Sequence, residues 1–377
     1  ATALSQTVGD AYLQADANLR LAMTLWAAGQ MEAAEAANRR GLEKAEQAGD
    51  ASLISIGLAG LSIFLSRQGQ IDAALELEER AVQMAEAAGR LRSAGVVLSN
   101  LGVAYGKYGD FRKATDRLER ALALRRQAAD RLGAGVVLMH LGQLNLTLGN
   151  LCAAQQNLNG ALALFETMES ITYRAETLAH RALAHAGRQD YHAAHQDARQ
   201  AYDLAVEAGN DSARTLAHLA SGMIWWTQKR HPPALEAYDT ALALAVQQAD
   251  NDARLAALTG KARVLAAQGK WPAAQAAVQQ MLPLPERIVF GPLLNAVDAY
   301  LVASQVLAPI DPAQAHAMLH HVQRRMMAAA ATIDDPAARH RFLHDNPIHR
   351  EILTRMEALA SKRASNTASG GSGKPKS

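Results

Sequence analysis

A ruler of forty residues constrains what this chain can fold into more than any other feature of it. Steps of forty from Gly109 land on Gly29, Gly69, Gly149, Gln189, Lys229 and Gly269. The residues around these anchors keep step. Five after each stands alanine: Ala34, Ala74, Ala114, Ala154, Ala194, Ala234 and Ala274. Seven before stand only small residues, Ala22, Ser62, Gly102, Gly142, Ala182, Gly222 and Ala262, and twelve after come Gly41, Ala81, Ala121, Ala161, Ala201 and Ala241, with Met281 ending the series. Small residues recurring at fixed offsets mark close crossings between helices, and a period of this length is the signature of a stacked repeat.

One unit shows the pattern best, from Ser93 to Ala129. Leu101, Gly102 and Tyr105 share one face of a first helix, Gly109-Asp110 makes a turn, and Phe111, Ala114, Ala121 and Leu122 share one face of a second. Neither helix can bury its stripe alone, so each hairpin needs its neighbours. The plug two after the anchor is Met31, Ile71, Phe111, Leu151, Tyr191 or Trp271, with His231 the exception.

Small residue, Tyr105, Gly109-Asp110-Phe111, Ala114 and Ala121 at this spacing resemble the tetratricopeptide repeat. The resemblance covers roughly residues 8 to 282 in seven units. It implies an all-α, right-handed superhelix of about eight hairpins closed by a C-terminal helical cap. The usual unit is about 34 residues, so forty adds about three residues, roughly 4.5 Å, to each helix and deepens the groove. Units of this length resemble the sensor arms of bacterial signal-transduction ATPases, including activators of the maltose-regulon type, and those of kinesin light chains.

Along the chain, residues 1 to 7 carry little pattern and are expected to fray, and a first helix is predicted from about Val8 to Ala28. Helices of 16 to 18 residues then alternate as far as Leu282. Pro283, Pro285 and Pro292 interrupt the pattern, which makes 283–332 a connection followed by an eighth, looser repeat. Asp311-Pro312, Asp335-Pro336 and Asn346-Pro347 are helix starts. Residues 333–362 read as capping helices, the last ending near Ser361, and 363–377 as a flexible tail.

Composition limits the function. The 377 residues are 49% hydrophobic but only 5% aromatic, so alanine and leucine carry the core. A formal charge of +2 argues against direct nucleic-acid binding, and the basic run from Arg112 to Arg126 is interleaved with Asp116 and Glu119, as on a solvated outer face. The single cysteine, Cys152, excludes an intrachain disulfide and fits a reducing, cytoplasmic setting. No apolar run is long enough for a membrane span. The chain begins at Ala1, which fits processing or an excerpt of a longer protein, in which an ATPase or DNA-binding output would precede this arm. Phosphate-loop, zinc-protease and nucleophile-elbow motifs are lacking, so the reading is non-catalytic and without cofactor.

The candidate site is the inner face made by the first helix of each pair. Nine before the anchors stand Arg20, Asn100, His140 and His180. In kinesin-light-chain-like repeats an asparagine at the place of Asn100 holds an extended peptide, and the resemblance implies that role for Asn100, with the two histidines as substitutes. Six before stand Met23, Ile63, Val103, Gln143, Leu183 and Met223; three before stand Trp26 and Trp226; and Met139 lies beside them. A mostly apolar groove with polar points is expected to take a peptide, a protein segment or a small effector. The alternative is a scaffold whose groove is filled by its own chain. Trp225 is expected in the core. Asn145 and His185 in the equivalent slot predict a bend or an internal polar contact. His316/His320, His340/His344 and the set His185, His192 and His195 have spacings that could share a metal, but the pattern favours plain packing.

Overall fold

In the computed structural model residues 10–27, 30–283, 289–293 and 295–370 are described. The expected fraying at 1–7 lies outside them, as does the middle of the proline-rich connection. Within them the chain is all helical and forms a repeated, solenoid-like array of hairpins. The pairs are α1 (Ala11–Ala27) with α2 (Met31–Ala48), α3 (Ala51–Arg67) with α4 (Ile71–Ala87), and α5 (Leu91–Tyr108) with α6 (Phe111–Gln127). There follow α7 (Arg131–Thr147) with α8 (Leu151–Thr167), α9 (Ile171–Gly187) with α10 (Tyr191–Glu207), α11 (Asp211–Thr227) with α12 (His231–Gln247), and α13 (Asn251–Ala267) with α14 (Trp271–Met281). Then come α15 (Ala296–Leu307), α16 (Pro312–Ala331), α17 (Pro336–His340), a π turn at Arg341–Asp345, and α18 (Pro347–Gly370).

The forty-step ruler is two twenty-step rulers. A left-handed residue falls at Gly49, Gly69, Gly89, Gly109, Ala129, Gly149, Glu169, Gln189, Gly209, Lys229, Ala249 and Gly269. At each the backbone closes the preceding helix; thus Gly69 N–H donates to Ser66 O and Gln70 N–H reaches back to Leu65 O at 2.9 Å. The next residue starts the following helix. Asp50, Asn150, Asp190, Asn210 and Asp250 each accept the N–H three residues on with their side chains.

All seven alanines five after the anchors are buried. The small residues seven before the anchors are matched to the residues nine after them. A Cβ on Gly102 would stand 2.6 Å from Leu118 Cγ, one on Gly142 2.6 Å from Leu158 Cγ, and one on Gly222 2.7 Å from Tyr238 Cε1. Where the small residue is Ala182 or Ala262, its counterpart is Ala198 or Val278. Ser62 instead donates to half-buried Glu78 at 2.9 Å. A crossing with glycine on the first helix thus admits a large side chain opposite it, and one with alanine takes a smaller one.

The chain divides into two compact units, Ala1–Ala104 with Lys113–Val137, and Tyr105–Arg112 with Leu138–Ser377. In the first, α1 to α4 pack as two hairpins, and Arg117 spans from α6 to Glu79 on α4 at 2.9 Å. The second owes its membership of Tyr105–Arg112 to its C-terminal elements, which grip that turn. Phe290 N–H donates to Lys107 O at 2.9 Å, and Thr332 Oγ1 accepts Phe111 N–H at 2.9 Å. The rings of Phe290 and Phe342 lie 5.5 and 5.2 Å from that of Phe111. Gly109 is required here, because a Cβ on it would come within 2.8 Å of Phe290 and 2.9 Å of Ala329.

Two expectations need correction. The last helix does not stop near Ser361 but runs on to Gly370, since Ala, Ser, Asn and Thr all tolerate a helix and no glycine or proline precedes Gly370. Trp225 is not in the core but half-buried, its ring 3.9 Å from that of His195 and 4.6 Å from the Arg230 guanidinium.

Candidate functional site

In the first unit the expected face is open. Met23, Ile63 and Val103 hold one register position on α1, α3 and α5 and are 69%, 44% and 38% exposed. Ile56 and Val96, seven residues earlier on α3 and α5, are exposed too and lengthen the stripe, because seven residues are close to two turns. Asn100 is exposed beside it, and its amide makes no hydrogen bond among the described residues. Arg20 is exposed and held at 2.8 Å by Asp16 on its own helix. Trp26 stands edge-on to Phe64 at 5.4 Å and is half-buried. Five apolar side chains held in water by the first helices of three consecutive hairpins form a surface suited to an apolar partner, with a free amide at its margin.

In the second unit the same register is largely covered, which corrects the expectation of a continuous groove. Leu183 is buried in one cluster with Leu219, Tyr238 and Leu293, the last coming from the segment before α15. Met223 and Trp226 are half-buried against that cluster, and Trp226 stacks on His231 at 5.5 Å. Residues 296 to 304 of α15 are buried on every side. At the place of Met223 on the next first helix stands Arg263, whose guanidinium pairs with the buried Asp298 of α15. Burial opposes the charged guanidinium, but the attraction of Asp298 and Tyr238 together outweighs it, so the pKa of Arg263 is raised and it stays charged.

Met139 is buried, because its position ten before the anchor faces the partner helix, as do Leu19, Ala179 and Leu219. Gln143 is half-buried. His140 is half-buried and His180 buried, and they lie close enough for each charge to disfavour the other. Desolvation pushes both down to about 4, so both are neutral at pH 7. Nδ1 of His180 has no partner among the described residues.

One residue escaped the sequence reading. Glu176 stands one turn before His180 and is half-buried; burial pushes its carboxyl above the usual range, and no charge or hydrogen bond among the described residues offsets that. Its register holds Ile56, Val96, Val136, Leu216 and Ala256 on other first helices, and a second carboxylate, Asp16, on α1, where Arg20 pairs with it.

The other polar features are internal. Arg181 holds buried Asp197 through two hydrogen bonds of 2.7 and 2.8 Å, and His185 lies 3.7 Å from the same carboxylate, the internal polar contact expected there. Asn145 bonds only to Leu141 O on its own helix. Among the described residues no group of three His, Cys, Asp or Glu is placed to hold a metal, and no helix is long and apolar enough to cross a membrane. In the basic run, Arg117, Arg120 and Arg125 are all paired with acids.

A tetratricopeptide repeat family model matches residues 58–88 and 96–130. No curated protein sequence matches the chain. Among solved structures, aspartyl phosphate phosphatase F from Bacillus subtilis is 12% identical over 77% of this chain and 75% of its own, with a TM-score of 0.57. A Rap protein complexed with competence and sporulation factor is 13% identical over 93% of this chain and 99% of its own, with a TM-score of 0.56. A signal-transduction ATPase with numerous domains and a tetratricopeptide repeat sensor, from Pyrococcus horikoshii, is 14% identical. That likeness covers 92% of this chain but only 54% of the ATPase, with a TM-score of 0.52. At such identities the likeness is one of fold.

Proposed function

We propose that this tetratricopeptide-repeat array is a non-catalytic binding module that takes a peptide or protein segment on the face of its first helices. In this reading it serves as the sensor or regulatory part of a larger signalling or transcriptional regulator. The observation that carries the reading is the exposed row Met23, Ile63 and Val103, repeated at one register position with free Asn100 beside it. Covering the part of these three side chains still in water is worth about 1 kcal/mol each, enough to help anchor an apolar segment. Support also comes from similar folds, one solved with a signalling factor and one described as a sensor.

The test is selection of a random peptide display library on the whole chain, repeated on Ile63→Asp and Asn100→Ala. Ile63→Asp places a charge in the apolar row and should abolish enrichment; Asn100→Ala should weaken selected peptides by about tenfold, a lost hydrogen bond to a backbone. Peptides that bind all three proteins equally would remove the reading. The self-filled scaffold is favoured by a specific observation in the second unit, where Leu293 and α15 cover the equivalent face. The two readings part on whether Ile63→Asp changes anything.

A further inference from the structure

At three crossings the residue just before an anchor is bonded to the residue six after the previous anchor, on the preceding second helix. Gln68 donates to Glu35 at 3.1 Å, Arg188 donates to Gln155 at 2.7 Å, and a ring nitrogen of His195 lies 3.2 Å from Gln228 Oε1. Each pair is polar on both sides and bridges two successive hairpins. Between α12 and the hairpin after it the pair is broken. Gln268 takes the place before the anchor, but its counterpart on α12 is Leu235, which has no group to offer a hydrogen bond. Gln268 Oε1 is buried and makes no hydrogen bond among the described residues. At the same place lies an open recess of about 710 Å³, lined along α12 from Pro232 to Ala243 and bounded on the other side by Gln268 and Lys270 at the turn into α14.

Small-molecule sites occupy about 300 to 1,000 Å³, and the recess falls in that range. Its charges offset one another. Asp239 is held by Lys261 at 2.6 Å, and exposed Glu236 and Lys270 are of opposite sign, which favours a neutral ligand. Pro232, Leu235 and Ala243 supply its apolar lining. The buried group that wants a partner is the amide of Gln268, and the complement of an amide is a second amide, which donates through its N–H and accepts through its carbonyl. The last torsion of a glutamine is soft, so a turn about it brings the oxygen to face the recess. We propose that the recess binds a neutral small molecule built as a carboxamide on an apolar body, the carboxamide pairing with Gln268 and the body lying on Leu235 and its apolar neighbours. A carboxylate in place of the carboxamide would bring no donor to the Gln268 oxygen, so the recess selects against acids as well as binding amides.

None of these residues belongs to the exposed row of the first unit, so the site stands or falls by itself. Saturation-transfer NMR on the whole chain tests it, with cyclohexanecarboxamide as the probe and methyl cyclohexanecarboxylate as the control that keeps the body and the carbonyl but has no N–H. The proteins are wild type, Leu235→Gln and Gln268→Leu. Leu235→Gln gives α12 the glutamine that α8 carries at Gln155 and should close the recess by restoring the polar pair. Gln268→Leu removes the amide and copies Leu148, which holds the same position in an earlier hairpin. Urea unfolding shows that the variants fold, and if one fails the other decides. The expected result is transfer to the carboxamide on wild type at millimolar concentration, at least about fivefold weaker on either variant, and at least about fivefold weaker to the ester on wild type. No transfer to the carboxamide on wild type, transfer within about twofold of wild type on the folded variants, or equal transfer to the ester would each overturn the site.

Discussion

Tyr238 is wedged between two glycines of successive first helices, and that wedge gives a prediction with a definite sign. Its buried ring faces Gly222, where a Cβ would lie 2.7 Å away, and Gly260, where a Cβ would lie only 2.3 Å from Cε1 and Cζ. In an exposed helix glycine to alanine gains about 1 kcal/mol. Here the new methyl would need the ring to retreat by over about 1 Å, and Gly222 leaves it nowhere to go. Overpacking of this kind costs about 1 to 3 kcal/mol, and so close an approach belongs at the upper end, so Gly260→Ala should destabilise by a net of up to about 2 kcal/mol. The register supplies the compensating change. At the homologous crossing Leu158 stands against Gly142, and the position corresponding to Gly260 holds the full side chain of His180. Tyr238→Leu should therefore make room: it costs on the order of 1 to 3 kcal/mol itself, and within it Gly260→Ala should turn favourable by up to about 1 kcal/mol. The coupling is on the order of 2 kcal/mol. Urea unfolding of the four proteins measures it, with amide exchange at α12 and α13 as a local readout, since arrays of repeats need not unfold all at once. Gly260→Ala stabilising in both backgrounds, or costing the same in both, would refute the interlocked crossing.

Two further predictions concern the turns and acid. Ala129 and Ala249 are exposed and left-handed, so glycine there should stabilise by about 1 kcal/mol each, read as a raised urea midpoint; an unchanged or lowered midpoint would count against the left-handed turns. His180 and His349 are buried and pushed down to about 4 mainly by desolvation, below their unfolded value of 6.5. The unfolded chain then binds more protons between those values, so stability should be constant above about pH 7 and fall as the pH drops toward 4. The loss approaches about 3 kcal/mol per histidine, and His349→Gln should shrink it; flat urea midpoints from pH 8 to pH 4 would contradict this.

The fold was legible because its determinants are local and repeated. An anchor every forty positions and an alanine five after each are visible without knowing what touches what, and the buried alanines bear that out. Even Gln189 and Lys229, which replace the anchor glycine, keep the left-handed turn, because the hairpins on both sides impose it. The C-terminal grip on Phe111 was not legible. Phe290, Thr332 and Phe342 come from three different segments with no period, and only their meeting around Gly109 explains why that turn needs glycine for a second reason.

The site shows the limit of register more sharply. Position six before the anchor reads as an apolar series apart from Gln143 and Arg263, yet Met23, Ile63 and Val103 meet water while Leu183 meets Leu293, and nothing at Leu183 itself distinguishes it. What distinguishes the second unit is where the series breaks. Arg263 interrupts it because Asp298 of α15 lies against that face. A periodic array repeats whatever packing alone dictates, so a charged residue in an apolar register marks a position where something beyond the neighbouring hairpin sets the side chain. At Arg263 that something is the chain's own helix.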